Sequence, residues 1–351
     1  MPPRIAVDIS DFDYQLPESL IAQEPLPERD ASRMLIVDRA TRAWRDSSFQ
    51  ELRSQLAEGD VLVINNTRVF PARLRGQRLP FGGAVELLLV REVEQNTWEA
   101  LARPARRLKP GTEISFANSD LRAQVSACLD NGIRLVRFEA NENLDDVIDR
   151  LGEPPLPPYI SRDPHTPAND RERYQTIYAT ERGAIAAPTA GLHFTPSILE
   201  SIKAGGVRVA EVTLHVGYGT FEPVRVPDIT KHKVAAERFS VSGETAAAIN
   251  GARAAGHRII AVGTTTARAL ESATSSAGEI SRQSGVASLT IIPGYKFRAI
   301  DGLLTNFHLP KSSLLMLVSA FAGRELTLAA YEHAVKNAYR FYSYGDCMLV
   351  V

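Results

Sequence analysis

The chain has 351 residues, of which 44% are hydrophobic and 23% charged, with a net charge of −1 and a sequence pI near 6.7. This length is sufficient for two domains that each bury a core, and the composition is that of an ordinary globular protein. The small net charge excludes a whole-molecule attraction to nucleic acid or to an anionic membrane, so any such contact requires a local basic patch.

The N-terminal region is predicted to carry no export signal, because three aspartates between residues 8 and 13 stand where a signal peptide needs an apolar stretch. Pro17 indicates the start of a helix. The apolar residues of SSFQELRSQLAEGD have the spacing of an amphipathic helix that ends at Gly59. DVLVIN, residues 60–65, is typical of a buried strand.

Residues 69–140 have a different pattern. Short segments rich in Val, Leu and Phe are separated by turn signals such as GG, QN, KPG and DNG. We count about six strands, with the spacing of a small barrel. An amphipathic helix over 143–152 closes this region, and a proline-rich connector over 153–167 follows it.

Beyond the connector, strands and helices alternate. GAIAA, VRVAEVTLHV, RIIAVG and VASLTIIPG are predicted strands, and helices are expected after Thr195 and over GETAAAINGARAAG, TTTARALESA, SSLLMLVSAFAG and LTLAAYEHAVKNAYRF. The alternation predicts an α/β fold with a mostly parallel sheet. Because DVLVIN is most simply another strand of that sheet, we expect a discontinuous α/β domain over 1–67 and 153–351, with an inserted six-stranded antiparallel β-barrel domain over 68–152.

The most apolar run of the sequence and its two cysteines bear on where the protein is located and which cofactors it could hold. The most apolar run, LLMLVSAFAG, is about half as long as the roughly 20 residues that a membrane span requires, so we expect no membrane contact. Cys128 and Cys347 lie far apart without a CxxC spacing, which favours neither a disulfide framework nor a cysteine metal site. We therefore expect a cytoplasmic protein with no metal and no prosthetic group.

Polar side chains follow several predicted strands at their carboxyl ends, where ligands bind in open α/β sheets. Each has an ordinary alternative: a histidine before a helix is often satisfied by backbone groups, and threonines there are often caps. Five polar loops at one predicted edge favour a functional site. Its candidate residues are Asn66, Arg68, Thr189, His193, His215, Glu222, Thr264, Thr265, Arg268, Asn306 and His308.

Common nucleotide and hydrolase motifs are missing from the sequence. GYGTFE, residues 217–222, departs from GxGxxG because Glu222 replaces the last glycine and Pro223 follows it. No P-loop, GxSxG or HExxH occurs, which argues against the usual NTPase, hydrolase and zinc-protease classes.

At these loops the chain resembles the QueA family of queuosine biosynthesis, the S-adenosylmethionine:tRNA ribosyltransferase-isomerases. APTAGLHF, TLHVGYGTF and TNFHLP are the most specific matching runs, and others such as INNTRVFPARLRG, IIAVGTTTARALES and RFYSYGDCML extend the resemblance over nearly the whole chain. The family's architecture, an α/β domain with an inserted six-stranded barrel, agrees with the expectation from periodicity.

The resemblance implies a transferase that uses S-adenosylmethionine as a co-substrate. Its ribosyl moiety is moved onto a 7-aminomethyl-7-deazaguanine at the wobble position of tRNA and is isomerised, which gives epoxyqueuosine tRNA, adenine and methionine. The rival enzyme class is an S-adenosylmethionine-dependent tRNA methyltransferase, which would release no adenine. The rival from another class is a non-catalytic tRNA-binding module, which would leave S-adenosylmethionine intact.

This chemistry suggests roles for the candidate residues. Removal of a C5′ proton next to the sulfonium calls for a base with a pKa near neutrality, so His193 and His215 are the acid–base candidates, with Glu222 as a possible partner. Fixed neutral donors stabilise developing charge. The residues assigned to holding substrate are Asn66, Arg68, Thr189, Thr264, Thr265, Arg268, Asn306 and His308.

Binding of tRNA requires a basic patch. Residues 68–140 contain twelve Arg or Lys and eight Asp or Glu, and ARPARRLKPG concentrates Arg103, Arg106, Arg107 and Lys109. A solvated turn is the alternative for such a charge run, but an RNA substrate makes a phosphate-binding arm the better hypothesis.

The chain departs from the family pattern at Ala235, where a histidine is common, so no role of that histidine is carried over. We expect a monomer.

Overall fold

The computed structural model describes residues 8–80, 82–129, 132–162, 169–221 and 224–351. Its helices are α1 (Leu144–Leu151), α2 (Asp170–Arg173), α3 (Pro196–Ala204), α4 (Gly243–Ala254), α5 (Thr264–Ala273), α6 (Ser313–Ala322) and α7 (Arg324–Lys336). Its strands are β1 (Arg33–Asp38), β2 (Ala43–Ser48), β3 (Val61–Asn65), β4 (Thr67–Val69), β5 (Arg73–Arg78), β6 (Gly83–Glu94), β7 (Thr97–Arg103), β8 (Glu113–Ser115), β9 (Arg122–Cys128), β10 (Ile133–Glu139), β11 (Glu181–Ala184), β12 (Arg208–Leu214), β13 (Glu237–Val241), β14 (Ile259–Val262), β15 (Gln283–Ala287), β16 (Gly302–Asn306) and β17 (Cys347–Val350).

A nine-stranded sheet forms the centre of the α/β part, in the order β15-β13-β12-β3-β14-β16-β17-β1-β2. The four neighbouring strands β12, β3, β14 and β16 are parallel to one another, so their carboxyl ends meet at one edge. The pairs nearer both sides of the sheet are antiparallel except β1 with β17. The predicted α/β fold is confirmed. The sheet is mixed overall, and its four neighbouring strands β12, β3, β14 and β16 are parallel.

Apolar packing on both faces buries the middle of the sheet. Val61 and Val63 of β3 contact the core formed with α4 to α7, whereas Leu62 and Ile64 face a second core formed with α3 and a 3-10 helix over Phe49–Gln55. A strand covered on both faces must be apolar throughout, which is the pattern seen in VLVI. Among the described residues no single helix is long and apolar enough to span a bilayer, and the neighbouring α6 and α7 are bent by 115°.

The predicted inserted barrel is confirmed. Strands β10-β7-β6-β5-β8-β9 close on themselves through antiparallel pairs and enclose a core of their own, with Leu74, Leu87 and Phe138 in its interior. Helix α1 covers one side of the barrel with Val147 and Ile148. Closure removes the free strand edges that would otherwise invite pairing with other chains.

The chain enters and leaves the barrel at one place. The backbone N–H of Arg73 donates to the carbonyl of Glu153 at 3.2 Å, and the N–H of Glu153 donates to the carbonyl of Arg73 at 2.9 Å. Gly152 is required beside this pair because a Cβ there would lie 1.9 Å from the carbonyl oxygen of Pro71. The two connecting segments therefore lie against each other as a short ladder.

Local predictions differ from the structure in several places. The helix predicted from Pro17 is a 3-10 turn over Glu18–Leu20, and SSFQELRSQLAEGD forms a 3-10 helix in which Phe49 and Leu52, three residues apart, are buried on one face. GAIAA forms β11, but it pairs with β4 in a separate two-stranded parallel sheet. Strands β1, β2, β4, β13, β16 and β17 were not predicted, and the strand predicted over VASLTIIPG ends at Ala287.

The side chain of Asn65, at the end of β3, holds three elements together. Its Nδ2 donates to the carbonyl of Leu214 at 3.0 Å, and its Oδ1 accepts from the N–H of Leu214 at 3.0 Å and from that of Thr67 at 3.2 Å. The same Nδ2 donates to Oγ1 of Thr265 in α5 at 3.4 Å. Asn65 is fully buried, so these partners have no access to water in its place.

We predict that Asn65→Leu, which keeps the number and branching of the side-chain heavy atoms but removes the carboxamide, lowers the free energy of unfolding by about 3 kcal/mol, because it leaves buried backbone and hydroxyl groups unpaired. Chemical denaturation measures this change. The control is Asn337→Leu, at an exposed helix end, for which we expect a change within about 0.5 kcal/mol. Equal effects of the two substitutions would contradict the role given to Asn65.

Candidate active site

A cavity of about 540 Å³, including its open mouth, lies at the carboxyl ends of β14 and β16. The location is the one expected for a ligand of a parallel sheet. Five of the candidate residues line it together: Thr189, Thr264, Thr265, Asn306 and His308. The other lining residues are Tyr159, Tyr174, Ala186, Ala187, Pro188, Ala190, Val216, Gly263, Thr305, Leu314, Tyr342 and Ser343.

Helix α5 begins at this cavity without a side-chain cap. Its N-cap residue is Gly263, whose φ of +91° is in the region that favours glycine. Gly263, Thr264 and Thr265 line the cavity, so the first turn of the helix borders it. The first N–H groups of a helix lack intrahelical acceptors and carry partial positive charge. This end of the cavity therefore suits a carboxylate or another hydrogen-bond acceptor.

His308 is the histidine that lines the cavity. Its Nε2 shares a hydrogen bond of 2.8 Å with Oγ1 of Thr305, and its backbone N–H donates to the hydroxyl of Tyr331 at 3.1 Å. Burial lowers the pKa of His308 to about 3, because the protonated ring would lose its hydration. The ring is consequently neutral at neutral pH.

Asn306, the last residue of β16, has a fixed amide. Its Nδ2 donates to the carbonyl of Tyr342 at 3.0 Å and to Nε2 of His193 at 3.3 Å. A carbonyl oxygen cannot donate, so the NH₂ group must face it and the amide orientation is determined. Oδ1 of Asn306 is buried and has no hydrogen-bond partner among the described residues.

Tyrosine rings supply much of the remaining cavity wall. Tyr159 and Tyr342 are in edge-to-face contact with ring centroids 3.9 Å apart, and Tyr174 lines the same cavity. Tyr342 has a φ of +75°, which is rare for a residue with a large side chain. Among the described residues that line the cavity, none carries a formal charge at neutral pH. Binding here must use aromatic faces, neutral dipoles and the helix terminus.

His193 lies behind Asn306 rather than in the cavity wall. It is 4% exposed and packs against Phe49. Its Nδ1 is 2.8 Å from Oγ of Ser32, and its Nε2 accepts from Asn306. Burial, with smaller contributions from Arg340 and Arg29, lowers the pKa of His193 to about 4. The structure therefore gives His193 no direct contact with the cavity.

His215 and Asn66 lie in a separate polar groove that Glu211, Thr213 and Glu244 also line. Nδ1 of His215 is 2.9 Å from Oγ1 of Thr67, and burial lowers its pKa. Asn66 uses its amide within the protein, since Nδ2 donates to Glu211 at 3.0 Å and Oδ1 accepts from Thr213 at 2.7 Å. The structure does not bring His193 and His215 to one pocket, and their catalytic assignment stays a prediction.

Arg268 and Arg68 do not line the cavity. The guanidinium of Arg268 is buried and forms an ion pair with Glu237, and it donates to the carbonyls of Ala235 at 3.3 Å and Ala287 at 3.1 Å. Glu237 in turn accepts from the N–H of Gly217 at 2.8 Å, so the pair supports the loop after β12. Arg68 is exposed on β4 and borders a different pocket. Glu222 lies outside the described residues.

A cleft of about 1420 Å³ lies between the barrel and the α/β part. Arg73, Arg75, Arg103 and Arg162 line it, and Glu86 is the acidic residue among its described lining. Arg75 is paired with Glu153 and Arg162 with Asp170, whereas Arg103 is exposed and has no polar partner among the described residues. Two chain segments contribute to both linings: Pro158 and Ile185 line the cleft, and the next residues, Tyr159 and Ala186, line the cavity.

The remaining residues of the predicted RNA-binding arm are on the barrel surface. Arg106 and Arg107 end a short 3-10 helix over Ala105–Arg107, and both are exposed, as is Lys109. They do not line the cleft. Within the described ranges, no group of three or more His, Cys, Asp or Glu residues could hold a metal ion.

Comparison with known proteins agrees with this architecture. The family described as "Queuosine biosynthesis protein" matches residues 9–350. The chain belongs to this family. It is also similar to a crystal structure of an S-adenosylmethionine tRNA ribosyltransferase from Thermotoga maritima, with 37% identity, a TM-score of 0.55, and coverage of 97% of this chain and 100% of that chain. Membership of the queuosine biosynthesis family confirms the resemblance stated from the sequence.

Several residues of this queuosine biosynthesis family member were missed by sequence reasoning. Tyr159 is in the proline-rich connector, and Tyr342 and Ser343 are near the C-terminus in RFYSYGD, so none follows a predicted strand. The pair of tyrosines in RFYSYGD could have identified the C-terminal segment, whereas the single tyrosine of the connector gives no such signal. Asn65 was included only as the last residue of the predicted strand over 60–65, although it is fully buried and its side chain holds β12 and α5 at the site.

We predict that buried neutral histidines make the protein less stable in mild acid. The pKa of His193 is about 4 in the folded state against an ordinary value of 6.5, so the unfolded chain binds a proton first as the pH falls from 6.5 towards 4. Between about pH 7.5 and about pH 5 this residue alone should remove about 2 kcal/mol of stability. Denaturant titrations at both pH values should show a correspondingly smaller loss for His193→Gln. An equal loss in the two proteins would contradict the lowered pKa.

Proposed function

We propose that the protein is an S-adenosylmethionine:tRNA ribosyltransferase-isomerase. It transfers and isomerises the ribosyl moiety of S-adenosylmethionine onto a 7-aminomethyl-7-deazaguanine at the tRNA wobble position, and it releases adenine and methionine. The observation that carries this proposal is a neutral, tyrosine-lined cavity at the carboxyl ends of β14 and β16 in a chain of the queuosine biosynthesis family. S-adenosylmethionine acts as a co-substrate.

The cavity wall offers partners for the adenine ring, the sulfonium and the carboxylate of S-adenosylmethionine. The faces of Tyr159, Tyr174 and Tyr342 attract the adenine ring and the sulfonium cation. The uncapped start of α5 at Thr264 and Thr265 is suited to the carboxylate or to nitrogen acceptors of the departing adenine.

Proton transfer in this cavity is best assigned to His308. Abstraction of a C5′ proton needs an unprotonated base within reach, and His308 is the histidine whose ring lines the cavity. The ring is unprotonated at neutral pH, but burial holds its pKa at about 3, well below the near-neutral value that suits a general base, so the assignment rests on the position of His308 in the cavity wall and not on its pKa. The roles predicted for His193, His215 and Glu222 are revised accordingly: His193 is proposed to act indirectly, and His215 and Glu222 stay hypotheses for a partner role.

The tRNA is proposed to bind through the cleft between the barrel and the α/β part. Its arginines attract phosphates, and its lining shares two chain segments with that of the cavity, where the wobble base must arrive. Arg106, Arg107 and Lys109 extend the positive surface beyond the cleft.

We further propose a domain division at 67/68 and 152/153 and a monomeric protein. We also propose a location in a reducing cytoplasm, which the two free cysteines favour.

The decisive assay incubates the protein with S-adenosylmethionine and tRNA that carries the 7-aminomethyl-7-deazaguanine. We expect free adenine and methionine in equal amounts, detected by chromatography, and about 100-fold slower release with His308→Asn. His333→Asn is the control and should have wild-type rates, because the His333 ring contacts Asp46 and does not line the cavity. Transfer of methyl label to RNA without adenine would identify a methyltransferase, and binding of tRNA with S-adenosylmethionine left intact would identify a binding module.

The RNA path is tested by charge reversal. Arg103→Glu places a negative charge in the cleft and should raise the KM for tRNA at least tenfold, because the nearest phosphates are then repelled. Arg106→Glu/Arg107→Glu should raise KM by a smaller, strongly salt-dependent factor, since these side chains are on the open surface. The KM for S-adenosylmethionine should not change in either variant. Unchanged KM for tRNA in both variants would exclude this path.

A further inference from the structure

The buried amide of Asn306 has one free acceptor, and the groups around it determine which way that acceptor faces. Nδ2 is held by the carbonyl of Tyr342 at 3.0 Å, by the carbonyl of Asp346 at 3.5 Å and by Nε2 of His193 at 3.3 Å. Oδ1 is the atom left without a partner, in a residue that is 2% exposed and lines the cavity. A buried acceptor that is unpaired costs stability unless a ligand pairs with it.

His193 contributes to this orientation through its own protonation state. Because Nε2 accepts from Asn306, the ring proton is on Nδ1 and is donated to Oγ of Ser32 at 2.8 Å. The Ser32 hydroxyl then donates to the carbonyl of Arg29 at 3.5 Å. Each donor in this chain faces an acceptor, so a neutral His193 reinforces the amide orientation that the carbonyl of Tyr342 imposes and leaves Oδ1 as the unpaired atom. A protonated His193 would present N–H to the amide NH₂ group and oppose this orientation.

From this geometry we infer that Asn306 is a specificity-determining residue whose Oδ1 accepts a hydrogen bond from the exocyclic amino group of adenine, and that His193 is the positioning residue that keeps this oxygen facing the cavity. The inference rests on the proposed function, since S-adenosylmethionine brings the adenine. It replaces the direct catalytic role predicted for His193.

The surroundings of Asn306 favour a flat, neutral donor over a cationic amine. Tyr342, which holds the amide with its carbonyl, also lines the cavity together with Tyr159, so a ring can stack beside the acceptor. No carboxylate is among the described lining residues, so an ammonium group would lack a counter-charge there. A site with a fixed acceptor discriminates against a base that lacks the amino group or carries an oxygen in its place.

Equilibrium dialysis with labelled adenine, competed by purine and hypoxanthine, tests the inference without turnover. Wild-type protein should bind adenine about tenfold more tightly than purine, which lacks the amino group, and should bind hypoxanthine more weakly still. Asn306→Ala should bind adenine and purine equally. Asn337→Ala, a matched change at an exposed asparagine, should keep the wild-type preference.

The positioning role of His193 has its own readout. His193→Leu removes the acceptor for the amide and should reduce the preference for adenine over purine, whereas His193→Gln offers Oε1 in place of Nε2 and should restore most of it. In the Asn306→Ala background, His193→Leu should leave the ratio of adenine to purine affinity unchanged, because the group it positions is gone. A lowered overall affinity with an unchanged ratio would indicate a merely structural effect and would overturn the positioning role.

Two failures are distinguishable. If wild-type protein binds adenine no more tightly than purine, the specificity role of Asn306 is overturned, even when adenine is released during turnover. If wild-type protein releases no adenine from S-adenosylmethionine and substrate tRNA, the proposed function is overturned, whatever the preference among free bases.

Discussion

The carboxamide of Asn65 is the constraint on which the site depends. The main chain leaves the sheet after β3 to reach β4 and the barrel. At that point the end of β12 and the first turn of α5 still need a hydrogen-bonding partner. Asn65 provides one by pairing with both backbone groups of Leu214 and with the hydroxyl of Thr265. The side chain thereby continues the hydrogen bonding of a strand that the backbone has left. The loop after β12 and the first turn of α5 are held in register by this one buried group.

Recognition in the cavity relies on neutral groups fixed in place. Both histidines near it are uncharged because burial makes protonation unfavourable, and the wall has aromatic rings, hydroxyls and an amide in place of ions. Dipoles fixed by a rigid scaffold need not reorient when charge moves during a reaction. They therefore stabilise the developing charge without the energetic cost of reorientation. The buried pair of Arg268 and Glu237 serves this arrangement from a distance by fixing the N–H of Gly217.

Much of the architecture could be predicted from the sequence because its periodicities are simple. Alternating strands and helices indicated the α/β part, and regular short strands between turn signals indicated the barrel. Strands β1, β13 and β17 could not be predicted this way, since β17 comes from the last residues of the chain and is completed only by pairing with distant β1 and β16. Such pairings depend on tertiary contacts that a local pattern does not contain.

The location and general chemistry of the candidate site could be predicted from the sequence, but only some of its residues could. The carboxyl ends of parallel strands meet at one edge, so Thr264, Thr265, Asn306 and His308 could be grouped in advance. His193 and His215 follow strands equally well in the sequence, but a side chain's direction depends on the turn that carries it. The short helix over Thr189–His193 places Thr189 in the cavity wall, whereas its last residue, His193, lies in the apolar layer on Phe49.

The ladder between Arg73 and Glu153 has an evolutionary consequence. The two ends of the barrel segment are hydrogen-bonded neighbours, about 5.5 Å apart between Cα atoms in such a pair. Insertion of the barrel into an existing surface loop is compatible with this short distance. Its removal or exchange would leave ends that a tight turn can join. Ancestors of this enzyme class could thus have gained or altered RNA specificity in one module while the small-molecule chemistry of the sheet stayed intact.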